Sequence, residues 1–79
     1  MVLTESQKKH GARTGDPLTQ RQLQILRWYA RGDTQAEVAV RLGLNRHTVD
    51  WEIRHIIDNL RAINATNAVY IGFKKGLIG

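Results

Sequence analysis

The stretch from Arg46 to Arg61 separates its residues into two faces as an α-helix would, and it constrains the fold more than any other part of the chain. Four aliphatic residues recur at intervals of four, three and four, which puts them on one side of a helix: Val49, Ile53, Ile56 and Leu60. Polar and aromatic side chains fall on the opposite side: His47, Asp50, Trp51, Arg54 and Asp58. We therefore expect one face to pack on a core and the other to face outward.

A shorter helical pattern precedes this stretch and ends in Gly43-Leu44-Asn45. Two helices joined by a tight turn that contains glycine, the second amphipathic with large polar groups outside, are the sequence form of a helix-turn-helix. Such a unit places its second helix in the major groove of DNA. Double-stranded DNA is therefore the expected partner, and the helix at 46–61 is the expected reading helix.

Length and charge are compatible with this partner. Seventy-nine residues make one domain with a small core, and domains of this size often gain stability by forming oligomers. The net charge of +5 permits binding to nucleic acid through release of counterions. Residues 18–79 hold nine basic and five acidic side chains, whereas residues 46–61 hold three of each. The expected reading helix is thus neutral, which weakens its attraction to phosphate.

Other classes of protein are excluded by absent features. With no cysteine, the chain has neither a disulfide framework nor a thiolate metal site. The apolar runs are too short to span a bilayer, and the start has no secretory signal pattern, so we expect no membrane partner and a cytoplasmic location. Residues 1–16 are polar and without period, which predicts a flexible arm or linker, and residues 17–79 form the expected domain.

Four helices are predicted, over about residues 20–31, 35–42, 46–61 and 65–75. Each is preceded by a residue that suits the N-cap position: Thr19, Thr34, Asn45 and Asn64. Gln22 and Glu37 stand three residues after the two threonines, as in a capping box. No alternating run is long enough for a strand. The predicted fold is all-α, a four-helix bundle-like helix-turn-helix domain with a flexible N-terminal arm.

The residues along all four helices resemble the LuxR/FixJ-type helix-turn-helix of bacterial transcription regulators. The resemblance covers about residues 17–78. It rests on Leu18-Thr19-x-Arg21, Ile25-Leu26, Ala30-x-Gly32, Glu37-Val38-Ala39, Leu42-Gly43-Leu44, Thr48-Val49, Ala68-Val69 and Gly76-Leu77-Ile78. The promoter-reading helix-turn-helix of bacterial sigma factors shares the first half only. The resemblance implies a regulator that binds DNA as a dimer, with the third helix in the major groove and the fourth pairing the subunits. It also implies either a stand-alone regulator or the excised C-terminal domain of a longer one.

Several positions depart from the residues common in this family. Asp50 and Asn59 stand where lysine is common, Glu52 where histidine is common, and Ala65 where arginine or lysine is common. These four changes remove positive charge or add negative charge, and we expect them to lie in or near the DNA-facing region. Gln22 stands where an acid is common beside Arg21.

Three residues of the outer face are candidate base contacts. Arg54 can contact guanine through two hydrogen bonds, and its alternative is a solvated ion pair with Asp50 or Asp58. Trp51 can touch a thymine methyl or a sugar, or cover a partner surface, and its alternative is to fold onto its own helix. Asp50 can accept from cytosine N4, but repulsion of phosphate or orientation of Arg54 is favoured over that role.

The starts of the second and third helices supply further candidates for DNA contact, because backbone N–H groups and polar side chains there suit phosphate. These candidates are Thr34, Gln35, Asn45, Arg46, His47 and Thr48. For Thr34 and Thr48 the alternative is local capping of the helix. His10, His47 and His55 lack the spacing of metal ligands, so we expect no metal, no cofactor and no enzymatic activity.

The fourth helix is the expected dimer contact. Tyr70, Ile71, Phe73 and Lys74 surround it, and only one face can pack on the core. In the alternative arrangement, Phe73 fills the core and only Tyr70 and Lys74 face solvent. A second functional hypothesis follows from the charge departures: a stand-alone protein that binds DNA weakly and pairs with a larger LuxR-type regulator, another regulator or RNA polymerase, and inhibits it.

Overall fold

The computed structural model describes residues 17–79, which form four α-helices. They are α1 (Gln20–Ala30), α2 (Gln35–Leu42), α3 (Arg46–Leu60) and α4 (Ala65–Lys74). No strand occurs within residues 17–79. The predicted all-α fold is therefore confirmed, and the arm predicted over 1–16 lies outside the described residues.

Local capping sets the helix starts where the sequence predicts them. Thr19 and Thr34 each cap a helix in a reciprocal capping box, with Gln22 and Glu37 as the respective partners. Asn45 and Asn64 cap α3 and α4 through their side-chain oxygens. These bonds satisfy backbone N–H groups that lack a partner within the helix. Three predicted ends are one residue too long, because residues 31, 61 and 75 are the C-caps.

One continuous core holds the helices together. Ile25 and Leu26 of α1, Val38 of α2 and Val49 and Ile56 of α3 are completely buried. α1 packs on all three other helices, α3 packs on α2 and α4, and Ile78 folds back onto the core after α4. The apolar face predicted for α3 is the buried one, so its opposite face is turned away from the core.

Two glycines matter for the fold, one for its backbone conformation and one for packing between helices. Gly43 ends α2 with a φ of 64°, a left-handed conformation that costs little without a side chain, and the N–H of Leu44 then bonds to the carbonyl of Ala39 at 2.8 Å. Gly72 lies on the buried face of α4, where a β-carbon would be 2.9 Å from Cδ2 of Leu26. The tight α2–α3 turn and the close approach of α4 to α1 both depend on glycine.

Candidate nucleic-acid interface

The outer face of α3 carries the candidate reading residues. Arg46, His47, Arg54 and Asp58 are exposed, and Asp50, Trp51 and His55 are partly exposed. Since Val49, Ile53 and Ile56 are buried on the other side, the helix presents its polar face outward from a fixed base. The predicted outward placement of Trp51 and Arg54 agrees with this geometry.

Asp50 and Arg54 form an ion pair one helical turn apart on this face. The Nε of Arg54 lies 3.1 Å from Oδ2 of Asp50, and the side chains are 74% and 42% exposed, respectively. This solvated ion pair is the predicted alternative to a base contact for Arg54. Its exposure leaves the guanidinium accessible to a ligand.

Trp51 lies beside His55 on the same helix. The two ring centroids are 3.9 Å apart, and the ring planes are inclined by 42°. Part of the indole is therefore covered by its own helix, as in the alternative considered for this residue. The remaining part is accessible, so a flat apolar surface stays available at the middle of α3.

Several candidate phosphate contacts also have structural roles at the starts of α2 and α3. Thr34 is a cap, because its hydroxyl accepts from the N–H of Glu37 at 3.2 Å. Asn45 accepts from the N–H of His47 at 2.7 Å. Gln35 donates from Nε2 to the carbonyl of Arg46 at 3.0 Å, which ties the two helix starts together. Arg46 and His47 are exposed, and Thr48 is partly exposed.

A groove of about 800 Å³ separates the start of α1 from the first two turns of α3. It is lined by Thr19, Gln20, Arg21, His47, Thr48, Trp51 and Glu52. Arg21 was absent from the predicted site, although it is a cation beside the expected reading helix, with its side chain 53% exposed. The sequence could not show this, because the packing of α1 on α3 brings Arg21 and α3 together.

Two of the four charge departures are not exposed on the outer face of α3. Glu52 is 5% exposed and Asn59 is 7% exposed, because both lie on the buried side of α3. Glu52 accepts from Nε2 of Gln22 at 3.3 Å, and its other oxygen lies 3.7 Å from Nη1 of Arg21. The exposed face of α3 is thus less acidic than the count over residues 46–61 indicates.

The departures at positions 22 and 52 involve two residues that are in contact. The resemblance gives an acid at the first position and a histidine at the second, and the structure places these two positions against each other. In this chain an amide donor meets a carboxylate instead. Gln22 and Glu52 thus form a buried hydrogen bond between α1 and α3, away from the exposed face of α3.

The fourth helix exposes apolar surface. Tyr70 is 58% exposed and Phe73 is 49% exposed, whereas Ile71 is partly buried against the core. Lys74 is exposed, and its Nζ lies 5.7 Å from the centroid of the Tyr70 ring. The alternative in which Phe73 fills the core is wrong, because Gly72 and Ala68 occupy the buried side of α4.

The remaining chemistry of the domain is modest. Burial, and after it the Asp50 carboxylate, raises the pKa of Tyr29 above its usual value. Within residues 17–79, no group of three or more His, Cys, Asp or Glu side chains is arranged to hold a metal ion. In the same part of the chain, no helix is long and apolar enough to cross a membrane.

Comparison with known proteins gives a consistent result. Residues 16–71 match the family described as bacterial regulatory proteins, luxR family. The transcriptional activator protein EchR of Dickeya chrysanthemi is 32% identical over 75 residues, which cover 92% of this chain and 30% of EchR. The transcriptional regulatory protein YvfU of Bacillus subtilis (strain 168) is 41% identical over 66 residues, which cover 84% of this chain and 33% of YvfU.

A third relative is the regulatory protein SdiA of Escherichia coli (strain K12), which is 33% identical over 60 residues. The match covers 76% of this chain and 25% of SdiA. The chain therefore spans about a third or less of the length of these relatives. The similarity is therefore confined to that part of each relative.

Proposed function

This chain belongs to the luxR family of bacterial regulatory proteins and is a DNA-binding regulator domain of the helix-turn-helix type, and we propose that it binds double-stranded DNA as a homodimer with α3 in the major groove. It acts in this proposal on bacterial DNA in the cytoplasm. The family is one of transcription regulators rather than enzymes.

The observation that carries the proposal is the outward face of α3. Arg54 and Trp51 project from a helix whose other side is fixed in the core, and a major groove about 12 Å wide admits an α-helix. Arg54 can supply two parallel hydrogen bonds to O6 and N7 of guanine. Trp51 lies within one turn of Arg54, and Thr48 lies within one turn of Trp51; both can contact a thymine methyl or a sugar.

Phosphate contacts then hold the domain in register. Arg46 and His47 are exposed in the first turn of α3, and Thr34 and Gln35 stand at the start of α2, whose backbone N–H groups suit an anion. Arg21 adds a cation at the groove beside α3. Glu52 is buried against Gln22 and lies 3.7 Å from Arg21, so it offsets part of the Arg21 charge but is not exposed beside Arg46 and His47.

The exposed face of α4 supports the homodimer. Tyr70 and Phe73 expose large rings beside Lys74, and such a surface on the last helix suits a two-fold contact in which the same patch meets itself. Ile71 lies at the edge of the patch, partly covered by the core. A dimer would present two copies of α3 to a two-fold symmetric site.

The alternative function is a weak DNA binder that pairs with a larger regulator, or with RNA polymerase, and inhibits it. The Asp50–Arg54 pair favours it, because the reader is partly neutralised by its neighbour. The burial of Glu52 and Asn59 removes two of the four departures that motivated this hypothesis. Direct binding to DNA is therefore the better supported function.

DNA binding is tested by selecting bound duplexes from a random pool and titrating the best one in increasing salt. We expect the apparent affinity to fall steeply with salt, because several phosphates are neutralised on binding. Arg54→Ala should weaken the selected duplex by about 1–3 kcal/mol and relax preference at one base pair. Lys75→Ala, which removes one charge outside α2 and α3, is the matched control. A weak and nearly salt-independent response of the wild type would favour the inhibitory alternative.

The dimer is tested by analytical ultracentrifugation of Phe73→Asp, with Val40→Asp as the matched control. Val40 is an exposed aliphatic residue on α2, so its replacement adds the same charge outside the proposed contact. We expect Phe73→Asp alone to shift the protein toward monomer. Equal sedimentation of both variants and the wild type would contradict a dimer through α4.

A further inference from the structure

The acidic residue at the centre of the exposed face of α3 lies where an acid should weaken DNA binding. Asp50 is partly exposed one turn before Arg54, and it would stand close to phosphate in the proposed complex. The resemblance gives lysine as the common residue here. Repulsion of phosphate alone would not explain a carboxylate at this position in a DNA-binding protein.

We infer that Asp50 is a positioning residue, whose carboxylate fixes the guanidinium of Arg54 along α3 and so narrows the sequences that the domain accepts. The inference rests on the proposed function, because it presumes that α3 reads bases. It assigns Asp50 an action through Arg54 and no base contact of its own.

The geometry of the ion pair supports this role. The close approach, 3.1 Å, is made through Nε of Arg54, which lies on the side of the guanidinium. The two terminal amino groups form the end of the guanidinium, and they make the fork that matches O6 and N7 of guanine. Contact through Nε therefore limits the rotation of the side chain without using the whole fork.

Stability of the fold does not account for the pair. With the two side chains 74% and 42% exposed, an ion pair at this spacing adds little to folding. Asp50 also lies within electrostatic reach of Tyr29 on α1, whose pKa it raises after the larger effect of burial. The carboxylate therefore interacts with a residue of the core face as well as with the proposed reader.

Asp50 has opposite effects on the affinity of the domain for DNA and on its selectivity between sequences. The charge of Asp50 weakens attraction to every duplex, because it lies on the face that approaches phosphate. The restricted guanidinium, however, loses its two hydrogen bonds whenever guanine is absent and cannot reorient to a phosphate instead. Removing Asp50 should therefore strengthen unspecific binding and reduce discrimination at the same time.

The test compares dissociation constants for the duplex selected by the wild type, for the same duplex changed at the base pair that Arg54 reads, and for an unrelated duplex. The variants are Asp50→Ala, Asp50→Asn, Asp50→Glu, Arg54→Ala and the double variant Asp50→Ala/Arg54→Ala. Circular dichroism and thermal unfolding check that each one folds as the wild type does. The measured quantity is the ratio between selected and changed duplex at a fixed salt concentration.

We expect Asp50→Ala to bind the unrelated duplex several-fold more tightly and to lose about two- to fivefold in the ratio. Asp50→Asn should behave similarly, because it keeps the shape but loses the charge, whereas Asp50→Glu should keep a ratio close to that of the wild type. The double variant should discriminate no less than Arg54→Ala, since the two residues act through one contact.

An Asp50→Ala protein that binds all three duplexes more tightly by the same factor would overturn the inference, because Asp50 would then only repel phosphate. So would losses that multiply in the double variant. A wild type that prefers no duplex would instead overturn the proposed function and this inference with it. The two failures are therefore distinguishable.

Discussion

The buried contact between Gln22 of α1 and Glu52 of α3 should be sensitive to replacement of the Gln22 amide by a carboxylate. In Gln22→Glu, the amide that donates to Glu52 becomes a second carboxylate, and two acids then face each other across 3.3 Å. Gln22 is completely buried, so water cannot screen the pair. The capping bond from the N–H of Thr19 survives, because a carboxylate oxygen accepts it as the amide oxygen does.

The size of the effect follows from the cheapest way to relieve the repulsion, which is to protonate one acid. For a carboxyl with an ordinary pKa of about 4.3, protonation at pH 7 costs about 3.7 kcal/mol. The new charge near the start of α1 offsets about 0.3–1 kcal/mol of this, and the half-exposed Arg21 offsets little. We therefore expect Gln22→Glu to lower the free energy of unfolding by about 2–4 kcal/mol at pH 7.

The pH dependence has a definite sign. In Gln22→Glu, repulsion between the two carboxylates raises the pKa of the pair in the folded state above its value in the unfolded chain. The stability of the variant is therefore highest below the unfolded pKa and falls as pH rises through the folded pKa. As pH falls from 7 to 5, the difference in free energy of unfolding between the wild type and Gln22→Glu should therefore shrink by up to about 1.4 kcal/mol for each pH unit. Urea unfolding followed by circular dichroism at both pH values measures it.

Two further variants complete this test. Gln20→Glu makes the same chemical change in the exposed first turn of α1 and should be neutral or slightly stabilising. Gln22→Glu/Glu52→His sets an acid against an imidazole and should recover stability by a coupling energy of about 1–3 kcal/mol. A Gln22→Glu protein that is as stable as Gln20→Glu, or whose deficit is the same at pH 5 and pH 7, would refute the reasoning.

Three other predictions concern single residues. The wild type should lose stability as pH rises above about 10, because the pKa of Tyr29 is higher in the folded state than in the unfolded chain. Tyr29→Phe should reduce this loss, as measured by thermal unfolding, and Tyr70→Phe is the control. Gly43→Ala should destabilise the domain to urea by about 1 kcal/mol or more, and a neutral result would contradict the need for a left-handed residue there. Asn45→Ala should cost about 1 kcal/mol and Asn45→Asp should restore it, whereas equal stability of both variants would contradict the capping role.

Features determined by neighbouring residues could be predicted from the sequence. The caps at Thr19, Thr34 and Asn45 need only a side chain and an N–H two or three residues away, and each is found as predicted. The inward face of α3 follows from helical periodicity for the same reason. The ion pair of Asp50 with Arg54 was among the predicted alternatives, because residues four apart lie side by side on a helix.

Features that depend on packing between distant residues could not be predicted. Gln22 and Glu52 are separated by 30 positions, so nothing local indicates that they meet or that Glu52 is buried. Arg21 reaches the groove beside α3 for the same reason. The exposure of Phe73 depends on which side of α4 contacts α1, and a periodic pattern on a short helix with several apolar residues leaves that side undetermined.

The absence of a side chain at Gly72 has a consequence for geometry at a larger scale. The backbone of α4 at position 72 packs directly on the Leu26 side chain of α1, with no room for a β-carbon unless Leu26 or α4 moves. In the proposed dimer, α4 forms the contact between the subunits and α3 faces the DNA. A bulkier residue at position 72 would have to displace the Leu26 side chain or shift α4 against α1. In the proposed dimer, such a shift would change the distance between the two copies of α3 and with it the preferred spacing of the two half-sites in DNA.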